Sequence, residues 1–137
     1  MNFPTVPPED FLQWTQRLYA MLDHLDARRY DAMTALFTPQ GRWIRQGQVF
    51  AGRAAILQAL QARPANMRVR HLLNNPLVHE CSAQHAVVAA QMTAYRQLEG
   101  GPCELFSINA VNTRFERVDG HWLIAEQSMV REYAFCA

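Results

Sequence analysis

The sequence contains no lysine: all 13 of its basic residues are arginine. They stand against 12 acids for a net charge of +1, and no basic run exceeds two residues. There is thus no electrostatic footprint for nucleic acid. The arginine-only composition has no functional reading by itself. Cysteine is scarce. Cys81, Cys103 and Cys136 are odd in number and lack CxxC spacing. They read as reduced thiols in a reducing compartment, with Cys136 at a frayed terminus. No apolar run approaches a membrane span, and "MNFPTVPPEDF" has neither a basic start nor the apolar core of a leader. A soluble, cytoplasmic protein with no membrane partner is expected. HxH and HExxH pairs, a glycine-rich phosphate loop and a GxSxG elbow are all missing, so neither a metal nor an organic cofactor is expected.

What is present is a 137-residue chain, half of it apolar, without repeats, linkers or low-complexity segments. That length suits one domain, 1–137, with a core that needs no staples. Pro7-Pro8 followed by Glu9-Asp10 predicts a helix start, and Phe11, Trp14, Leu18, Met21 and Leu25 then recur at spacings of three and four. A short helix in "RYDAMTALF" is predicted to end at Thr38-Pro39-Gln40-Gly41. "RWIRQGQVF" reads as a small hairpin around Gly47. Gly52 opens a third helix carrying Ile56 and Leu60, and Pro64 closes it. From there the period changes to that of strands, over 67–81, 84–98, 103–118 and 121–134, with Gly100-Gly101 and Asp119-Gly120 marking turns. Helices followed by a meander predict an α+β fold, three helices packed on one face of a curved antiparallel sheet.

One strand does not alternate as a half-buried strand should. In "RHLLNNPLVHE" strict alternation puts His71, Leu73, Asn75, Leu77 and His79 on one face, polar and apolar together. Such a face is either solvated or lines a cavity that needs a few polar groups among apolar walls.

The order of elements, carried by "LDHLDARRYDAMTALFTPQGRW", "GRAAILQAL", "RHLLNNPLV" and "DGHWLIAE", resembles the nuclear transport factor 2-like superfamily, and within it the SnoaL-like branch. The resemblance implies a cone-shaped half-barrel whose strongly curved sheet wraps a deep apolar pocket roofed by helices, with His71 pointing into it. Relatives include scytalone dehydratase, bile-acid 7α-dehydratase, ketosteroid isomerase and polyketide cyclases, beside members that only bind or assemble, so the fold alone does not choose an activity.

Two residues stand out as a catalytic pair. Asp26 lies at the end of the first helix, where the dipole disfavours a carboxylate. A residue that breaks a local rule points toward a site. In the dehydratases the matching aspartate pairs with a pocket histidine matching His71, and such a pair can move a proton from a carbon α to a carbonyl. The competing readings are that Asp26 caps the second helix or pairs with Arg29, and that His71 is a satisfied core histidine. Asn75, Tyr95 and Asn109 are candidate polar substrate-binding residues. The sequence departs from scytalone dehydratase in having Leu25 where that enzyme has tyrosine, and no histidine in "VVAAQMTAYRQL".

The leading expectation is a small cofactor-independent lyase, dehydratase or isomerase acting on a hydrophobic, cyclic small molecule. The alternative is a non-catalytic binding module, including a structural subunit like the β subunit of an aromatic-ring-hydroxylating dioxygenase. A homodimer through the outer sheet face is also expected, because Val111 and Phe115 share a face with Asn109 and Thr113 and need covering.

Overall fold

The computed structural model describes residues 3–135; Cys136, expected at a frayed end, lies outside them. Helix α1 spans Pro8–Asp26 and α2 Tyr30–Thr34; β1 is Phe37–Arg45, β2 Gln48–Ala51 and α3 Arg53–Gln61. The long strands β3 (Met67–Cys81), β4 (His85–Leu98), β5 (Cys103–Val118) and β6 (His121–Ala134) follow. All six strands form one open sheet in the order β2-β1-β6-β5-β4-β3. The three helices pack on it, and the α+β half-barrel is the architecture present.

The sheet is mixed rather than purely antiparallel. Strand β1 runs parallel to β6, with Phe37 opposite Ile124 and Arg45 opposite Met129. The partners are 84 to 87 positions apart, a crossover pairing that local periodicity does not report. The segment 38–41, expected as a turn, belongs to β1 and absorbs a register shift between Phe37 and Arg42. Gly41 is required there, since a Cβ would lie 2.9 Å from the Ile124 carbonyl oxygen and 3.1 Å from the Phe37 Cβ. Arg53 of α3 donates to the Phe37 carbonyl oxygen at 2.6 and 3.0 Å, tying helix to strand.

The core lies between α1 and the inner sheet face. Proline at the first helical position and Glu9 and Asp10 in the first turn start α1. Its apolar stripe buries Trp14, Leu18, Met21, Leu22 and Leu25. Trp14 meets Trp122 edge-on at 5.2 Å and stacks near Phe115 at 6.5 Å. On β5 the inner residues are Ser107, Asn109, Val111, Thr113 and Phe115, all buried. This corrects the expected location of Val111 and Phe115: the chain's own helices cover them, so they supply no argument for a second copy.

The irregular strand is irregular because it bulges. Asn75 has φ 54°, and the β3–β4 register shifts between Asn74 and Leu77. The slip exchanges the faces beyond it. His71 and Leu73 are partly buried, whereas Asn75 and Leu77 are exposed and Val78 is buried. Asparagine tolerates the left-handed region and a β-branched residue does not. Asn75→Val should therefore cost about 1–2 kcal/mol in denaturant unfolding, while Asn75→Gly stays near wild type. Equal losses in both variants would mean that the Asn75 side chain, not its backbone conformation, matters.

Candidate active site

At the last turn of α1 the chain puts Asp26 against β3. His71 Nδ1–H donates to Asp26 Oδ1 at 2.5 Å, and the His71 backbone N–H donates to Oδ2 at 2.8 Å. An ionised carboxylate only accepts, so this contact assigns the ring proton to Nδ1. The side chains are 11% exposed for His71 and 5% for Asp26. Both carboxylate oxygens are thus engaged, which offsets the cost of placing Asp26 in a dry spot beside the helix C-terminus. Neither competing reading of Asp26 describes the arrangement. Arg29 pairs with Asp23 at 2.6 Å, and the α2 N-cap has no side-chain hydrogen bond.

His71 lines a cavity of about 320 Å³ between the inner sheet face and the helices. With Nδ1 held by Asp26, Nε2 is the ring nitrogen left for chemistry, and it has no hydrogen-bond partner among the described residues. Asn109 and Ser107 line the same cavity. Asn109 Nδ2 donates to Ser107 Oγ at 3.1 Å and to the Met92 carbonyl oxygen at 3.4 Å. Because Ser107 Oγ accepts this bond, its own O–H remains available as a donor. Leu25, Trp43, Val69, Met92 and Phe106 supply apolar wall.

The structure pairs Asp26 with His71 and puts Asn109 on the His71 cavity, whereas the other two candidates do not line that cavity. Asn75 sits exposed at the bulge, turned away by the register slip, and does not line the cavity. Tyr95 is 36% exposed and lines a separate recess, which Asp26 also borders, with Asp23, Arg68 and Gln97. It lies outside the His71 cavity because its neighbour Ala94 takes the inward position, paired with His71. His79, His85 and His121 are exposed, and His24 Nδ1 accepts from Arg29 Nε at 3.0 Å.

Sequence reasoning missed Ser107 and four arginines: Arg45, Arg63, Arg96 and Arg131 all line the cavity. A signal was present for three of them. Arg45, Arg96 and Arg131 each follow a buried strand residue by two positions, after Trp43, Ala94 and Met129. On an alternating strand such a position shares the inner face.

The described residues contain no helix long and apolar enough to cross a membrane. The chain belongs to the SnoaL-like domain family, whose sequence profile matches residues 9–127. Its fold is that of nuclear transport factor 2-like, cystatin-like proteins. It is similar to Aln2 from a Streptomyces species, with TM-score 0.83 and 19% identity over 96% of this chain and 95% of that one. A Novosphingobium aromaticivorans protein provisionally assigned as a scytalone dehydratase superposes with TM-score 0.82 and 16% identity, over 93% and 89% of the two chains. Another protein from that organism, provisionally an aromatic ring hydroxylase, gives TM-score 0.85 and 20% identity over 94% and 93%. No curated protein matches the sequence. At these identities the likeness establishes the fold alone.

Proposed function

We propose that this protein is a cofactor-independent acid–base enzyme of the lyase (dehydratase) or isomerase type, acting on a cyclic, largely hydrophobic small molecule. The observation that carries this reading is the Asp26–His71 hydrogen bond at the wall of the cavity. In the reaction, His71 Nε2 takes a proton from a carbon α to a carbonyl, and the C–H electron pair moves onto the carbonyl as an enolate. The Ser107 hydroxyl, oriented by Asn109, can donate to that oxygen. Asp26 balances the imidazolium charge. Collapse of the enolate expels a β-hydroxyl, which leaves as water with the proton from Nε2, or the proton returns to a different carbon and the double bond moves.

The test is a panel of cyclic β-hydroxy ketones in D₂O, followed by NMR for α-proton exchange and by ultraviolet absorbance for enone formation. Exchange or dehydration well above the His71→Gln background is expected for at least one member. Identical rates for wild type and His71→Gln across the panel would sink the reading. The second reading is a non-catalytic module that binds a hydrophobic ligand or a partner protein, including a structural subunit; stoichiometric co-purification with a larger partner would favour it.

A homodimer through the outer sheet face is proposed on grounds other than Val111 and Phe115. Leu72, Thr93, Ile108 and Tyr133 follow one another across four strands, and Leu72, Val130 and Tyr133 are exposed by 48%, 54% and 61%. Such a largely apolar row, interrupted by the Thr93 hydroxyl, favours a covering partner. Light scattering at micromolar concentration should give a dimer, and Val130→Arg should give a monomer. A wild-type monomer counts decisively against it.

A further inference from the structure

The cavity that holds His71 carries more positive charge than an apolar substrate requires. Four guanidinium groups line it, from β1, from the segment after α3, from β4 and from β6, and among the described residues no aspartate or glutamate lines it with them. Two are committed to the protein. Arg63 donates to the Leu25 carbonyl oxygen and to the Tyr30 hydroxyl, each at 3.0 Å, and Arg96 lies 3.5 Å from Glu104. The other two lie against aromatic faces, one of them on the Phe106 ring that Arg96 also covers at 4.3 Å. Arg45 sits 4.8 Å from the Trp43 ring centre and Arg131 4.9 Å from that of Phe106. Among the described residues neither has a carboxylate within ion-pair distance.

This arrangement sets like charges close to one another. Burial lowers the pKa of Arg45, and the charges of Arg63 and Arg131 lower it further. Like charges that face one cavity are stabilised by an anion that enters it. Guanidinium groups preset on aromatic rings present planar donor forks, and these match a carboxylate with two parallel hydrogen bonds. Met67 and Val69 meanwhile supply apolar wall for a ring.

Resting on the acid–base reading above, we infer that the substrate of this cavity is a ring-bearing organic acid, its carboxylate held by Arg45 and Arg131 while its reacting carbon faces His71. The arginines then act in binding and orientation, and proton transfer stays with His71. A carboxylate anchored at one end would fix which carbon reaches Nε2, the positioning that apolar walls alone do not supply.

The experiment is calorimetric titration of the full chain with 2-naphthoate, with its neutral isostere 2-naphthamide and with inorganic phosphate. Naphthoate is expected to bind about 10-fold or more tightly than the amide, as charge-assisted hydrogen bonds allow. The preference should fall to near unity in Arg45→Gln/Arg131→Gln and survive in His71→Gln. The comparison of acid with amide in wild type needs no variant to fold. Equal affinity for both, binding of neither, or phosphate binding as tightly as naphthoate would overturn the inference. The two readings fail separately: a naphthoate preference with unimpaired turnover in His71→Gln would remove the acid–base assignment alone, whereas equal binding with turnover lost would remove the organic-acid substrate alone.

Discussion

Replacing His71 by glutamine lowers turnover by about 10²-fold or more, with a much smaller change in substrate affinity. Glutamine keeps much of the volume and an N–H that can reach Asp26, so the buried carboxylate retains a donor. What is lost is the Nε2 base. Asp26→Asn should have a comparable effect by a different route. An amide can still accept the His71 backbone N–H now bound to Oδ2, but a neutral group cannot balance the imidazolium. It can also present an N–H to Nδ1 and move the ring proton to Nε2, which disables the base. The two changes act on one unit, so the double variant should be little worse than either single one. Steady-state kinetics on the panel substrate that responds would decide it. Full turnover in both single variants would end the assignment, and a tenfold loss confined to KM would make the pair a binding feature.

The second large effect concerns stability. Trp14→Ala should destabilise the protein by about 3–5 kcal/mol, the range for truncating a large aromatic in a packed core. Trp14 is fully buried, and it joins α1 to β5 and β6 through Phe115 and Trp122. Its neighbours are themselves large rings held from strands, so the space left has little means of closing. Against a typical total of about 5–15 kcal/mol, the loss would be a large share of the stability. Urea unfolding followed by tryptophan fluorescence and circular dichroism would measure it. A change below about 1 kcal/mol would show that the seam between α1 and the sheet does not hold the fold together. Leu12→Ala, at a 63% exposed position of the same helix, should change stability by no more than about 0.5 kcal/mol.

The four long strands were legible almost to the residue, because Asp119-Gly120 and Gly100-Gly101 punctuate them and alternation fills the space between. Strand β1 was legible only in part. Pro39 and Gly41 read as turn residues, and what makes 38–41 extended is pairing with β6, whose residues lie far along the chain. The pairing of Asp26 with His71 follows from a different kind of signal. A carboxylate at a helix C-terminus is locally unfavourable, so it stands out in a sequence, but its partner was supplied by family resemblance rather than by any periodicity.

The sequence by itself determined the single α+β domain, the apolar stripe of α1, and the strand boundaries, since each depends on periodicity and turn chemistry over a few neighbouring residues. It also marked Asp26 and His71 as unusual for their places. Only the tertiary structure decided which side of the sheet each strand residue faces. One left-handed residue, Asn75, turned itself and Leu77 outward and Val78 inward, and no count of alternation foresees a bulge. The tertiary structure also decided that the Val111 face is covered by helices, and that arginines scattered from position 45 to 131 converge on one cavity. Charge convergence depends on distances in space, and a linear chain records only distances in sequence.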